Sequence, residues 1–400
     1  MKKTLRICLV DESGWEGGRA YIANIINALS TLPEETKSTI DLCLATLSNT
    51  EIGAYNKLWP ALKVYHYIAP SINKPRRLLN RLIREVLLSF YPDSTANAVP
   101  LIDFLKAIKA DFVFPHPCVP VRVNNPFHFA SWIPDFQHKF YPLFFHDGDI
   151  KSRDNLFSSF SRNSSIVVLS SRHAEADFKR FFPAESHKSR VLTFRVYPSP
   201  DYYEGDPVHV QKAYNLPDRF FFIGNQFWQH KNHAVVFNAL KILRDRSIYP
   251  VIVCSGGLFD YRRQEFLDSV FQMIHKSGIS SQVFILGFLP KKDQVQLLRR
   301  SLAVIQPSFF EGWSTVVEEA RIFGKPAILS NIGVHLEQNP PGSQYFDPNS
   351  PEELADILAD SWSRLSPGPD KSREEEARKK GLEDMKEFGL QFLKIASEGK

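Results

Sequence analysis

"FFFIGNQFWQHKNHAVVFNALKILRDRSIYPVIVCSGG" runs from 220 to 257. It opens on a short apolar run (220–225), passes through a polar loop into a helical pattern, and closes on a second apolar run (249–257). Strand, loop, helix, strand is the repeating unit of a parallel α/β sheet. The pattern continues through "QVFILGF" (282–288), "LAVIQPS" (302–308) and "KPAILSN" (325–331), each followed by a helical stretch. Such alternation predicts a doubly wound sheet, which binds its ligands at the carboxyl ends of its strands.

Upstream, "YPSPDYYEGDPVHVQKAYNLPD" holds four prolines and no periodicity, so residues 201–219 read as a linker. Before it the α/β pattern appears again. "LRICLV" (5–10) and "TIDLCLATL" (39–47) read as strands, with Ile22, Ile25, Ile26 and Leu29 at helical spacing between them. "ADFVFPHP" (110–117) and "SIVVLSS" (165–171) read as further strands. The expected organisation is a Rossmann-like domain over 1–200, the linker, a second Rossmann-like domain over 220–372, and a terminal amphipathic helix over 373–400 packing back on the first domain. A chain of 400 residues exceeds what one hydrophobic core usually serves, which agrees with two domains.

Composition narrows the function. A hydrophobic fraction of 43% with 23% charged residues describes a globular chain rather than a disordered one. The net charge of +5 is mild; it suits an anionic small ligand and does not point to nucleic acid. Cys8, Cys43, Cys118 and Cys254 stand far apart with no C-x-x-C pair, so reduced, buried thiols are expected rather than zinc or disulfides. The opening apolar stretch is too short for a signal peptide and no run is long enough to span a bilayer, so a cytoplasmic location is expected. One strongly amphipathic segment, 73–90, sets Arg76, Arg77, Arg81 and Arg84 beside a leucine-rich face. It is a candidate for peripheral contact with an anionic membrane; the plain alternative is a helix packed on its own sheet.

The candidate site lies in "PSFFEGWSTVVEEARIFGKPAIL" (307–329). Glu311 falls in the loop at a strand's carboxyl end. Thr315 and Glu318 match a capping box at the start of the following helix, which leaves Glu319 without a structural task. A helix N-terminus offers unpaired N–H groups and a positive dipole end suited to phosphate. Acids cannot bind a diphosphate, but they accept hydrogen bonds from hydroxyls. Acids on both sides of a phosphate site therefore suit a nucleotide sugar.

At this point the residues resemble glycosyltransferase family 4. "EGWSTVVEE" is similar to its E-x7-E signature, with Glu311 and Glu319 as the two acids. "FFFIGNQFWQHKNH", "FILGFLPKKDQVQLLRRSLAVIQPSFFEG", "GKPAILSNIGVHLEQ" and "FDPNSPEELADIL" resemble consecutive units of the same family, over about 220–362. "GWEGGRAYIANIINAL", "DFVFPHP" and "SSRHAEADF" extend the likeness more loosely into the first half.

The resemblance implies the GT-B fold, two Rossmann-like domains facing each other across a cleft, with the donor mainly on the second and the acceptor on the first. It implies transfer of a hexose from a UDP or GDP sugar to a hydroxyl of a saccharide or lipid-linked acceptor, with retention, in a setting such as surface-polysaccharide assembly. It implies no cofactor and no required metal. Glu319 would hold ribose hydroxyls, Glu311 donor-sugar hydroxyls, and Lys231 the diphosphate. Gly312, Trp313, Ser314, Thr315 and Val316 would offer backbone amides, with Gly224, Gly17 and Gly18 allowing close approach. His116 would point at the donor sugar.

The family's Arg is Asn225 in this chain, so one permanent charge is missing, and His230, His233 or Arg19 are candidates to replace it. Asp135 and His138, among aromatics in "SWIPDFQHKFYP", are weaker candidates for the acceptor. Asp147-Gly-Asp149 forms a D-x-D triplet of the kind that binds metal in another glycosyltransferase fold, but the tripeptide is common by chance. The rival readings are another GT-B enzyme, such as a sugar-nucleotide epimerase, and a catalytically inactive sugar-nucleotide-binding scaffold.

Overall fold

A computed structural model of the protein describes residues 4–11, 16–46, 53–66, 105–115, 127–260, 262 and 265–398. The segment 73–90, His116 and Cys118 lie outside the described residues. The chain forms two units. The first is Met1–Phe136, Asp147–Arg195 and Asp384–Lys400; the second is Gln137–His146 and Val196–Glu383.

The first unit is built on β1 (Leu5–Asp11), β2 (Ile40–Thr46), β3 (Lys63–His66), β4 (Phe112–Phe114), β5 (His128–Ile133), β6 (Ile166–Leu169) and β7 (Ser189–Val191). They form one sheet in the order β3-β2-β1-β4-β5-β6-β7, and every pairing is parallel. Ile7, Cys8, Leu9 and Val10 are all buried, as expected for a central parallel strand covered on both faces. Helix α1 (Glu16–Ser30) follows β1 and buries the Ile22, Ile25, Ile26 and Leu29 face read from the sequence. Beside it, Phe388 lies against Tyr21, and Phe392 lies edge-on to Phe112 and Phe114.

The second unit contains β8 (Phe221–Gly224), β9 (Ile252–Ser255), β10 (Val283–Ile285), β11 (Val304–Gln306), β12 (Ala327–Ser330) and β13 (Gln344–Phe346). Their order is β10-β9-β8-β11-β12-β13, again all parallel. Successive residues along β8 and the position before it serve opposite faces: Phe221 and Ile223 join one core, Phe220 and Phe222 the other. The strand order reverses between β8 and β11. In a doubly wound sheet that reversal opens a crevice at the carboxyl ends of those two strands.

Both sheets are Rossmann-like. The segment 201–219, read as a linker, instead carries helices Asp201–Glu204 and Pro207–Ala213 and belongs to the second unit. Asp206 caps the latter helix through Val208 N and His209 N, with Pro207 at its first position.

Candidate active site

The polar centre of the second unit lies where β8 and β11 end side by side. Asn225, one residue past β8, donates from Nδ2 to Gln306 Oε1 at 2.8 Å. Gln306, the last residue of β11, donates from Nε2 to Glu311 Oε1 at 2.8 Å. Ser308 Oγ donates to the same oxygen at 2.6 Å, and Lys231 Nζ reaches it at 2.6 Å. The ion pair is largely shielded, with the Lys231 side chain 16% exposed and that of Glu311 8%.

Local chemistry places Lys231. It ends a short turn, Gln229–Lys231, and Asn232 follows at φ 52°. Asn is among the few non-glycine residues that tolerate this left-handed conformation. Its Nδ2 donates to Pro307 O at 3.1 Å and Pro348 O at 2.8 Å, which pins the turn against the end of β11. Phe309 N donates to His230 O at 2.8 Å and closes the contact from the other side. Helix α2 (His233–Asp245) then leads away.

Helix α4 (Thr315–Ile322) starts one residue earlier than its expected capping box requires. The cap is Ser314, whose Oγ accepts from Val317 N, not Thr315, which is exposed. Ser314 wins because Gln338 grips it twice: Ser314 N donates to Gln338 Oε1 at 3.1 Å, and Gln338 Nε2 donates to Ser314 O at 3.0 Å. The Ser314 amide is thus engaged within the protein. Glu318 is buried against Gln338 and Arg321 rather than capping the helix. Glu319 is buried too, and Lys291, the first residue of α3 (Lys291–Arg300), pairs with it.

The electrostatics follow from these contacts. Burial alone would push the Glu311 carboxyl up, but the adjacent Lys231 ammonium and its hydrogen bond outweigh it and hold the group at about 2. Burial drives His230 well below its usual value, His233 to about 3, and His335 to about 4. None of the three carries charge at neutral pH, so neither His230 nor His233 replaces the missing Arg. Asn225, expected to meet the ligand, is 3% exposed and donates to Gln306.

The remaining expected residues are distributed as follows. Gly224 closes β8, Gly312 is half-buried, and Trp313 and Val316 are buried at the entrance to α4. Gly17 and Gly18 stand in the first turn of α1, in the first unit, and there Arg19 lies 3.9 Å from Asp11. Asp135, also in the first unit, pairs with Arg153 at 2.7 Å. His138 is buried in the second, its ring edge-on to Phe145. Asp147 and Asp149 form the first turn of helix Asp147–Asn163, where acids suit the helix dipole, and no group fit to hold a metal ion occurs among the described residues.

Reading by spacing missed Gln306, Ser308, Lys291 and Gln338. Gln306 left one trace, a single polar residue at the end of an apolar strand. Also missed was that the segment 137–146 joins the second unit: Phe140 stacks on Phe310, and Tyr141 Oη donates to Phe309 O at 3.4 Å, two residues before Glu311 in the chain.

Residues 208–380 match the family model described as "Glycosyl transferases group 1". This segment belongs to that family. The group 1 glycosyltransferase segment contains every residue that converges on Glu311. Among curated proteins, the chain is similar to the O-antigen chain mannosyltransferase B of Escherichia coli, 26% identical over 51% of this chain and 54% of that protein. It is also similar to the sucrose synthase of Nitrosomonas europaea, 27% identical over 31% of this chain and 18% of that one. The chain therefore spans about half the length of the first of these relatives and less than a fifth of the second. Among solved structures, Anabaena HepE in complex with UDP and glucose aligns with a TM-score of 0.67 over 98% of this chain and all of that one, at 15% identity. That likeness establishes the two-domain GT-B type of fold.

Proposed function

We propose that the protein is a glycosyltransferase that moves a hexose from a nucleoside diphosphate sugar, with UDP or GDP as the nucleotide, to a hydroxyl of a saccharide or lipid-linked acceptor. One observation carries the reading. At the point where the second sheet reverses its strand order, a lysine, a helix start and a buried, ionised glutamate converge. Lys231 and the N-terminus of α4 supply positive potential for a leaving diphosphate. A preorganised donor of this kind is worth about 3–4 kcal/mol at a developing anion. Glu311 receives its three described contacts on Oε1; we assign Oε2 to a donor-sugar hydroxyl. Glu319 would hold the ribose hydroxyls once Lys291 gives way.

Transfer with retention follows in this reading, because Glu311 is committed to its hydrogen-bond donors and is no free nucleophile. The acceptor oxygen bonds to the anomeric carbon on the face from which the diphosphate leaves, the carbon–phosphate-oxygen bond breaks, and the acceptor proton passes to the departing oxygen. Since the cations on the protein answer the charge of the leaving group, turnover is expected without added metal. The relatives that act on sugars support the donor class.

The test is a panel of UDP- and GDP-hexoses. A bound donor should raise the melting temperature by mass action, and a proton spectrum of the product reports its anomeric configuration. Glu311→Gln, which keeps the shape and removes the charge, should lower turnover at least about a hundredfold, the scale of a lost transition-state contact, while UDP still binds. Unchanged turnover in that variant removes the assignment. Release of an altered sugar nucleotide without acceptor would favour the epimerase reading.

A further inference from the structure

Two buried amides stand behind the Glu311 carboxylate, and neither touches solvent enough to meet a ligand: Asn225 is 3% exposed and Gln306 0%. Their orientations determine one another. An ionised carboxylate only accepts hydrogen bonds, so Gln306 must present Nε2 to Glu311. Gln306 Oε1 then faces back toward β8 and needs a donor, which Asn225 Nδ2 supplies at 2.8 Å. Asn225 has little room to retreat. Gly256, at φ 139°, backs directly onto it, and a Cβ there would lie 2.1 Å from the Asn225 carbonyl oxygen.

We infer that Asn225 and Gln306 are positioning residues for Glu311, a neutral amide relay in which residue 225 sets the direction of the carboxylate instead of contacting the ligand. The catalytic meaning of the relay rests on the function proposed above; the relay itself is a property of the folded second unit. It explains how a chain lacking a cation at 225 can still hold its acid in place. The other groups that bear on Glu311 are the Ser308 hydroxyl, Lys231, which pairs with it, and His230 and His335, both buried and neutral.

The isosteric variant Asn225→Asp tests the relay, because it replaces the Nδ2 donor with an acceptor. Gln306 then either opposes two carbonyl-type oxygens or turns its own oxygen toward Glu311. In the second case Glu311 loses its Gln306 donor, and in both it gains a like-charged neighbour. The readout is the titration of Glu311, followed by carbon NMR on protein labelled at the glutamate carboxyls, with Glu311→Gln to assign the signal.

In the parent the carboxyl should stay ionised down to the acid limit of the fold. In Asn225→Asp its midpoint should rise by about one pH unit or more, a tenfold or larger change in proton affinity. The uncharged Asn225→Ala should shift it the same way by less, and serves if the aspartate variant does not fold. If both variants merely melt at lower temperature while the Glu311 titration stays in place, the residues are structural and the relay is refuted. A moved titration in a protein that turns over no UDP- or GDP-hexose would keep the relay and remove the enzyme reading.

Discussion

Asn232 shows how much of the candidate site depends on one side chain with few substitutes. It must adopt φ 52°, and its amide must donate to two carbonyls at once, Pro307 O and Pro348 O. Aspartate tolerates the same backbone conformation but has no N–H to donate. Asn232→Asp should therefore cost about 2–4 kcal/mol, since two buried carbonyls lose their donor and face a carboxylate instead. A denaturant titration checks this, and a loss below about 1 kcal/mol would mean the turn holds without the side chain. At this scale the sequence was legible where spacing carries meaning. Glu311 and Glu319 stand eight positions apart around a helix start, and Lys231 lies in a recognisable loop. It was not legible where adjacency comes from the sheet. Asn225 and Gln306 are 81 residues apart and meet only because β8 lies beside β11.

Among the elements, the long apolar runs gave strands where expected, while short strands escaped. β7 ("SRV") and β13 ("QYF") lie in no long apolar run, and the end of β5 overlaps a stretch read for its acceptor-like aromatics. The segment 201–219 was misread because its prolines were counted as breakers, although Asp206-Pro207 is a favourable helix start. Helix α5 (Lys371–Ser397) carries a position where propensity and packing disagree. Gly389 lies in its interior, where alanine is favoured by about 1 kcal/mol. A Cβ at Gly389 would fall 2.8 Å from Ala28 O and 3.0 Å from Ala28 C, backbone atoms of α1 that cannot swing aside. Gly389→Ala should therefore destabilise the first unit, by about 1–3 kcal/mol as for overpacking. A raised melting temperature would show that α1 and α5 shift apart at no cost.

For the molecule as a whole, buried titratable groups set the dependence of stability on pH. His233 is fully buried, stacked on Phe227 at 4.1 Å, and held at about 3; His335 is held at about 4. Both would titrate near 6.5 in the unfolded chain. Between about pH 6.5 and 4 the unfolded state therefore binds more protons than the native one, and stability falls as pH falls. Each such group contributes a slope of about 1.4 kcal/mol per pH unit. Glu311, held at about 2 against about 4.3 unfolded, adds a further loss only below that second value. Lys325 acts in the opposite window. Buried and lowered to about 7, it makes the native state gain stability as pH rises from there toward 10.5, while the raised thiols of Cys8 and Cys254 oppose that gain above about 8.5. His233 can be isolated, because phenylalanine keeps a stacking ring and removes the titration. His233→Phe should raise the melting temperature more at pH 5 than at pH 8, flattening the acid limb by about one proton. A difference that is equal at both values would place His233 in contact with solvent protons in the native state and overturn its buried, neutral assignment.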